Sequence, residues 1–105
     1  MLSRPNSSTP VLDLLKDPTK WTKGTAFKDA SGKSCEQKYA TCCCVYGATT
    51  ICYQQNGTVL RQLSKVTMAI EKLFPSRNEY SSMLFNDHPE TTHEEMIAAL
   101  TEAQI

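Results

Sequence analysis

The chain has 105 residues, of which 40% are hydrophobic and 21% charged, and its formal net charge is +0. A chain of this length and composition forms one small domain around one core, which excludes wholesale disorder. Because there is no cationic excess, nonspecific binding to nucleic acid is not expected.

The N-terminus and the apolar pattern both argue against a membrane protein. Residues 1–10 are polar and lack the apolar stretch of a signal peptide. No apolar run approaches the ~18 residues that a helix needs to cross a bilayer. We therefore expect a cytoplasmic protein with no membrane partner.

An odd number of cysteines indicates a reducing compartment rather than a fold held by disulfides. The five are Cys35, Cys42, Cys43, Cys44 and Cys52. No C-x-x-C pair occurs, and three consecutive cysteines on a helix would point in three directions. We expect buried thiols, no metal site and no cofactor.

The first helix follows Thr9-Pro10, a typical N-cap and first helical position, and it ends at Asp17-Pro18. Its apolar face is Val11, Leu12, Leu14 and Leu15. A turn at residues 29–32 then separates segments 26–28 and 33–35. A small β-hairpin and an ordered loop both fit this pattern.

Residues 36–55 are predicted to form the second helix, with Cys44, Ala48, Ile51 and Cys52 on one apolar stripe. Gly47 in its middle costs about 1 kcal/mol relative to Ala. The close approach of another backbone would justify this cost. Residues 48–53 are rich in β-branched side chains, so a strand remains an alternative there.

Residues 58–74 show the clearest helical periodicity in the chain. The apolar positions of that helix are Val59, Leu60, Leu63, Val66, Thr67, Ile70, Leu73 and Phe74. Residues 75–82 are predicted to be a loop, 83–85 a short apolar anchor and 86–89 a turn.

The last helix is predicted to begin at a capping box, in which Thr91 or Thr92 pairs with Glu94 or Glu95. The fold class that follows is mainly α. We predict a compact bundle of about four helices with a small β-hairpin or ordered loop between helices 1 and 2. Residues 1–8 are expected to be a flexible N-terminus and 9–105 a single helical domain.

Three sequence motifs occur in a fixed order along the chain. They are Trp21-x-x-Gly24 with Asp29-x-x-Gly32, then Cys44-x-x-Gly47-Ala48, then Phe85-Asn86-Asp87 ahead of the capped last helix. Together they resemble a small bacterial and phage domain family of unknown function, over residues 10–104. The resemblance implies a stand-alone small domain of a kind that phages or other mobile elements would encode. It supplies no catalytic residues.

The C-terminal part of the chain is acidic. Residues 76–105 contain one basic side chain, Arg77, and six acidic ones, Glu79, Asp87, Glu90, Glu94, Glu95 and Glu102. Trp21, the only tryptophan, lies beside Lys23 and would be a binding hot spot if it were exposed. The acidic segment would suit a surface that attracts a basic partner.

These features favour a non-enzymatic protein-interaction domain. Its most specific form is a phage or mobile-element inhibitor of a host defence complex, similar to an anti-CRISPR protein. The acidic segment would then mimic nucleic acid or occupy a basic channel, so the expected partner is a protein with a basic or nucleic-acid-binding surface. The predicted partner-binding residues are Trp21, Lys23, Tyr80, Asp87, Glu90, Glu94, Glu95 and Glu102.

Two other classes of function and a homodimer remain alternatives. A cysteine-dependent enzyme or redox sensor would use Cys44 with His88 as its base, oriented by Asn86 or Asp87. A small DNA-binding regulator would read DNA with the third helix. The basic residues of that helix are Arg61, Lys65 and Lys72.

Overall fold

The computed structural model describes residues 2–77 and 81–105. These residues form five α-helices and one two-stranded sheet, so the expected mainly α fold with a small β element is confirmed. The elements are α1 (Pro10–Leu15), β1 (Phe27–Lys28), β2 (Cys42–Cys43), α2 (Val45–Tyr53), α3 (Val59–Leu73), α4 (Ser82–Asp87) and α5 (His93–Ala103). Short 3₁₀ turns cover Pro18–Lys20, Gln37–Tyr39 and Pro75–Arg77.

The longest helix, α3, packs against α2, α4 and α5. Its buried side consists of Gln62, Leu63, Val66, Ala69 and Ile70. The periodicity of residues 58–74 therefore predicted this helix correctly. Two positions are wrong, since Leu60 and Leu73, both assigned to the apolar face, are 77% and 38% exposed.

The two ends of the chain meet at α1. Ile105 is fully buried, and its carbonyl oxygen accepts a hydrogen bond from the Val11 backbone N–H at 2.8 Å. This bond satisfies an N–H at the start of α1, where Thr9 makes no side-chain cap. Leu2 belongs to the core, so part of segment 1–8 packs on the domain. The mobility of that segment stays a prediction.

The β element keeps part of the predicted hairpin, as one bridge between its two segments, and adds a strand that was not predicted. β1 pairs antiparallel with β2, so that Phe27 lies opposite Cys43. An isolated bridge between Lys28 and Ser34 closes the turn at residues 29–32, whose Asp29 carboxylate accepts hydrogen bonds from backbone N–H groups within the turn. The strand thus has a short hairpin partner on one side and β2 on the other.

The second helix begins nine residues later than predicted, at Val45. Residues 42–43 pair with β1 instead, and the Cys44 N–H donates to the Ala26 carbonyl at 3.1 Å. These are contacts with a distant segment, which local periodicity cannot report. From residue 45 onward the helix is confirmed, and the alternative of a strand at 48–53 is wrong.

The short helix α4 occupies the region predicted as an apolar anchor followed by a turn. The Ser81 hydroxyl caps it by accepting from the Leu84 N–H at 3.0 Å. Phe85 is fully buried and stacks on Phe74, with ring centroids 5.4 Å apart. Only Phe85 of the predicted anchor is buried, since Met83 and Leu84 are 46% and 61% exposed. Six residues are too few to display a helical period, so the sequence did not indicate a helix here.

Gly47 lies where α2 meets the segment before β1. A Cβ at this position would collide with the Ala26 carbonyl oxygen and lie 3.0 Å from the Phe27 ring. The expected close approach of another backbone is confirmed.

We predict that Gly47→Ala lowers the free energy of unfolding by about 1–3 kcal/mol, as overpacking does. This sign opposes helix propensity, which favours alanine by about 1 kcal/mol. Urea unfolding of both proteins measures the difference. A Gly47→Ala protein as stable as the parent, or more stable, would contradict the close packing.

Candidate functional site

The side-chain amide of Asn86 lies at the centre of the residues that the sequence motifs singled out. Asn86 is fully buried near the end of α4. Its Oδ1 accepts from Trp21 Nε1 at 2.7 Å and from the Val45 backbone N–H at 3.0 Å. Its Nδ2 donates to the Thr22 carbonyl at 3.0 Å and to Asp87 Oδ1 at 2.9 Å. The amide thus uses both lone pairs and both N–H groups.

A second set of bonds fastens the segment after Trp21 to the turn after α4. Asp87 Oδ1 also accepts from the Gly24 N–H at 2.9 Å. Lys23 Nζ donates to the carbonyls of His88 and Thr91, both at 2.6 Å. We call Asn86, Asp87 and the residues bonded to them the Asn86 junction. It joins all three motif regions, because Val45 follows Cys44 directly.

The predicted binding residues Trp21 and Lys23 therefore have structural partners. Trp21 is partly buried against the core, its indole N–H is bonded to Asn86, and its ring lies 5.7 Å from that of His93. The Lys23 ammonium lies 5.5 Å from the Trp21 ring centroid. Because the polar groups of these two side chains form bonds within the fold, they are less available to bind a partner.

Cys44 was predicted to lie on the apolar stripe of the second helix, but it is the N-cap of α2 and precedes the helix. It is 6% exposed. Burial raises the pKa of its thiol and the nearby Asp87 adds to this, while the N–H groups of Gly47 and Tyr46 oppose it. Burial also raises the pKa of Cys43 to about 12 and that of Cys52 to about 11. These thiols are protonated at neutral pH and are poor nucleophiles.

The parts of the alternative cysteine enzyme are not assembled. His88 Nδ1 accepts from the Glu90 backbone N–H at 3.1 Å, and no hydrogen bond among the described residues joins His88 to Cys44. Asn86 and Asp87, expected to orient the imidazole, bond to the Trp21–Gly24 segment instead. Within residues 2–77 and 81–105, no three His, Cys, Asp or Glu side chains could hold a metal ion.

Two carboxylates of the acidic segment have basic partners. Glu95 lies 3.1 Å from Arg77 and completes a capping box with Thr92, which settles the register that the sequence left open. The Thr92 N–H and the Arg77 guanidinium lower the pKa of Glu95. Glu102 pairs with Lys72 at 3.0 Å.

The other acidic positions and Tyr80 divide into three groups. Glu90 and Glu94 are exposed, and none of the described residues forms an ion pair with their carboxylates. Asp87 belongs to the Asn86 junction. Tyr80 and Glu79 lie outside the described residues. The acidic segment is therefore not one open acidic surface in the part of the chain that is described.

The structure exposes an apolar surface that the sequence did not assign to binding. Leu60 and Met68 of α3 are 77% and 69% exposed, and Leu84 of α4 is 61% exposed. A shallow groove of about 390 Å³ runs between α3 and α5. The sequence signal for it was Met68, an apolar residue between Lys65 and Lys72 on the polar side of the helix.

We predict that Asn86→Ala lowers the free energy of unfolding by about 3–5 kcal/mol. It leaves the partly buried indole N–H of Trp21 and the buried backbone N–H of Val45 without an acceptor, at about 1–3 kcal/mol each. Denaturant unfolding measures this loss. A loss below about 1 kcal/mol would show that the junction is not a stabilising network.

Asn86→Asp separates the loss of the donor from the loss of side-chain volume. The new carboxylate would face the Thr22 carbonyl and the Asp87 carboxylate, so its pKa in the folded state is raised above the unfolded value of about 3.9. The folded variant then binds more protons than the unfolded chain. We predict that its deficit relative to the parent shrinks as pH falls through the raised pKa. A deficit independent of pH would contradict the assigned donor role of Nδ2.

Thiol reactivity tests the position of the cysteines. We predict that Cys43, Cys44 and Cys52 react with a disulfide reagent at neutral pH only after unfolding, because they are buried and protonated. The partly buried Cys35 and Cys42 should react first. Mass spectrometry of the modified peptides assigns each site, and rapid labelling of Cys44 in the folded protein would revive the enzyme alternative.

No helix in the described ranges is long and apolar enough to cross a membrane. Comparisons with curated proteins and with solved structures gave no match. A family of unknown function, DUF6197, matches residues 10–104. That range includes all five helices, both strands and every residue of the Asn86 junction. The chain therefore belongs to the DUF6197 family.

Proposed function

We propose that this chain is a protein-interaction domain that acts by binding a partner and not by catalysis. The observation that carries the proposal is the distribution of exposed apolar side chains. Of the seven large hydrophobic side chains exposed in the described part, five lie on α3 and α4. They are Leu60, Met68, Leu73, Met83 and Leu84. Single exposed apolar residues are ordinary, but a concentration on two packed helices is typical of a binding surface.

The use of the polar groups elsewhere supports the same proposal. The side chains best suited to chemistry, Cys44, Asn86 and Asp87, are buried or bonded within the junction. Their arrangement stabilises the fold and leaves no activated nucleophile at neutral pH among them. α3 and α4, by contrast, present large apolar side chains to solvent.

A more specific form of the proposal is an inhibitor of a host defence complex, carried by a phage or another mobile element. Small size and the segregated charge of the chain support it. In this form the acidic contact with a basic partner rests on Glu90 and Glu94, because Glu95 and Glu102 already have basic partners. Partner binding would then weaken as salt screens these charges.

Affinity capture from a lysate of the encoding organism tests the proposal. We predict that the protein retains a stoichiometric partner and that the double variant Leu60→Lys/Leu84→Lys loses it. Both side chains are exposed, so the variant should keep its thermal stability. The matched control is Tyr39→Lys, which changes a side chain that is 62% exposed on a different turn.

The outcome also separates the two surfaces. Loss of the partner in Glu90→Lys/Glu94→Lys, with Leu60→Lys/Leu84→Lys unaffected, would move the contact to the acidic segment. Equal retention by all variants, or no stoichiometric partner, would contradict a binding surface on α3 and α4.

A further inference from the structure

The groove between α3 and α5 has a chemical character of its own. It is lined by Lys65, Met68, Ala69 and Lys72 of α3 and by Glu102 and Ala103 of α5. The two alanines leave room for a side chain from outside. The aliphatic stems of the lysines extend the apolar wall while their ammonium groups stay in water. The unbranched Met68 side chain can adapt to an incoming group.

Positive charge lies along one edge of this groove. Arg61, Lys65, Met68 and Lys72 recur at intervals of four, three and four residues, so they share one side of α3. Lys72 is neutralised by Glu102. Among residues 2–77 and 81–105, none forms an ion pair with Arg61 or Lys65. The edge therefore offers two cations beside an exposed methionine.

We propose that this groove binds an amphipathic helix of a partner protein, with an apolar side chain seated over Ala69 and Ala103 and carboxylates facing Arg61 and Lys65. The inference rests on the proposed function and names the surface and the partner's chemistry. Helices recognised in grooves present apolar anchors at spacings of three and four residues, with charges at the edges. Carboxylates complement the two cations that have no partner within the described chain.

Two other occupants fit the charges less well. If two copies of the chain paired through antiparallel α3 helices related by a two-fold axis, each edge of α3 would face the same edge of α3 in the second copy. The unpaired cations Arg61 and Lys65 would then face the same cations of the second copy. A nucleic acid would gain only two unpaired cations from this edge, too few for the phosphate contacts that supply its affinity. An acidic amphipathic helix is the occupant that uses both the apolar groove and the charge.

Two synthetic helical peptides test the proposal with the full chain. Both have leucines along one face, and the flanking positions are glutamate in one and lysine in the other. We expect the glutamate peptide to bind at least about tenfold more tightly by fluorescence anisotropy, with the difference shrinking as salt is added. Equal binding of the two peptides, or binding of neither, would overturn the assignment of the groove.

Matched variants locate the binding. Met68→Glu and Lys65→Glu should each weaken the glutamate peptide about tenfold. Tyr39→Glu and Lys33→Glu, which change one exposed apolar residue and one exposed lysine outside α3 and α4, should leave the affinity within about twofold. Equal effects of Met68→Glu and Tyr39→Glu would place the peptide outside the groove.

Other outcomes of these experiments show whether the groove assignment, the proposed function or both are wrong. Competition of the peptide by a short DNA duplex, or dimerisation that Met68→Glu abolishes in sedimentation velocity, would overturn the acidic-helix assignment in favour of those occupants. If the peptides fail while a lysate partner still depends on Leu60 and Leu84, the groove assignment falls and the proposed function stands. If that partner is missing as well, both fall.

Discussion

The four hydrogen bonds of the Asn86 side-chain amide are the constraint on which the placement of the β element and of α2 depends. A two-stranded ribbon of two-residue strands has little stability of its own. It is held because the Trp21–Gly24 segment, which bonds to Cys43 through Thr22, is fastened to α4 at Asn86. The same amide accepts the first N–H of α2, which the Cys44 side chain does not cap. A buried amide is costly unless every polar atom is paired, and here each one is.

This constraint separates the residues that hold the fold from those available to a partner. Trp21 and Lys23 look like binding residues in the sequence. In the structure, however, the indole N–H donates to Asn86 and the ammonium donates to carbonyl groups of the turn after α4. In α3, by contrast, the inner side packs in the core and the outer side exposes Leu60 and Met68 to solvent. A partner can therefore cover the outer side of α3 without contacting the Asn86 junction, whose residues lie outside α3.

Sequence reasoning succeeded where the cause of a structure is local. The period of α3 and the capping box of α5 can both be read from nearby residues. The close contact at Gly47 was expected because a glycine lies inside a helix, although its partner Ala26 is distant in sequence. Sequence reasoning failed where a distant segment decides the outcome. Residues 42–43 form a strand because β1 lies beside them, and Glu95 and Glu102 lose their open charge because Arg77 and Lys72 fold back onto α5. The Phe85-Asn86-Asp87 motif was noticed, but its partners lie more than forty residues away in sequence.

Hydrogen exchange of two protons tests the central role of the junction most directly. The Trp21 indole N–H and the Val45 backbone N–H both donate to Asn86 Oδ1, from positions far apart in the chain. If the junction opens only when the domain unfolds, both protons exchange with the same free energy, equal to that of global unfolding. The account would be contradicted if the free energy of opening measured for the Trp21 proton were much smaller than that of the core amides of α3. Trp21 would then detach while the rest of the fold stays intact.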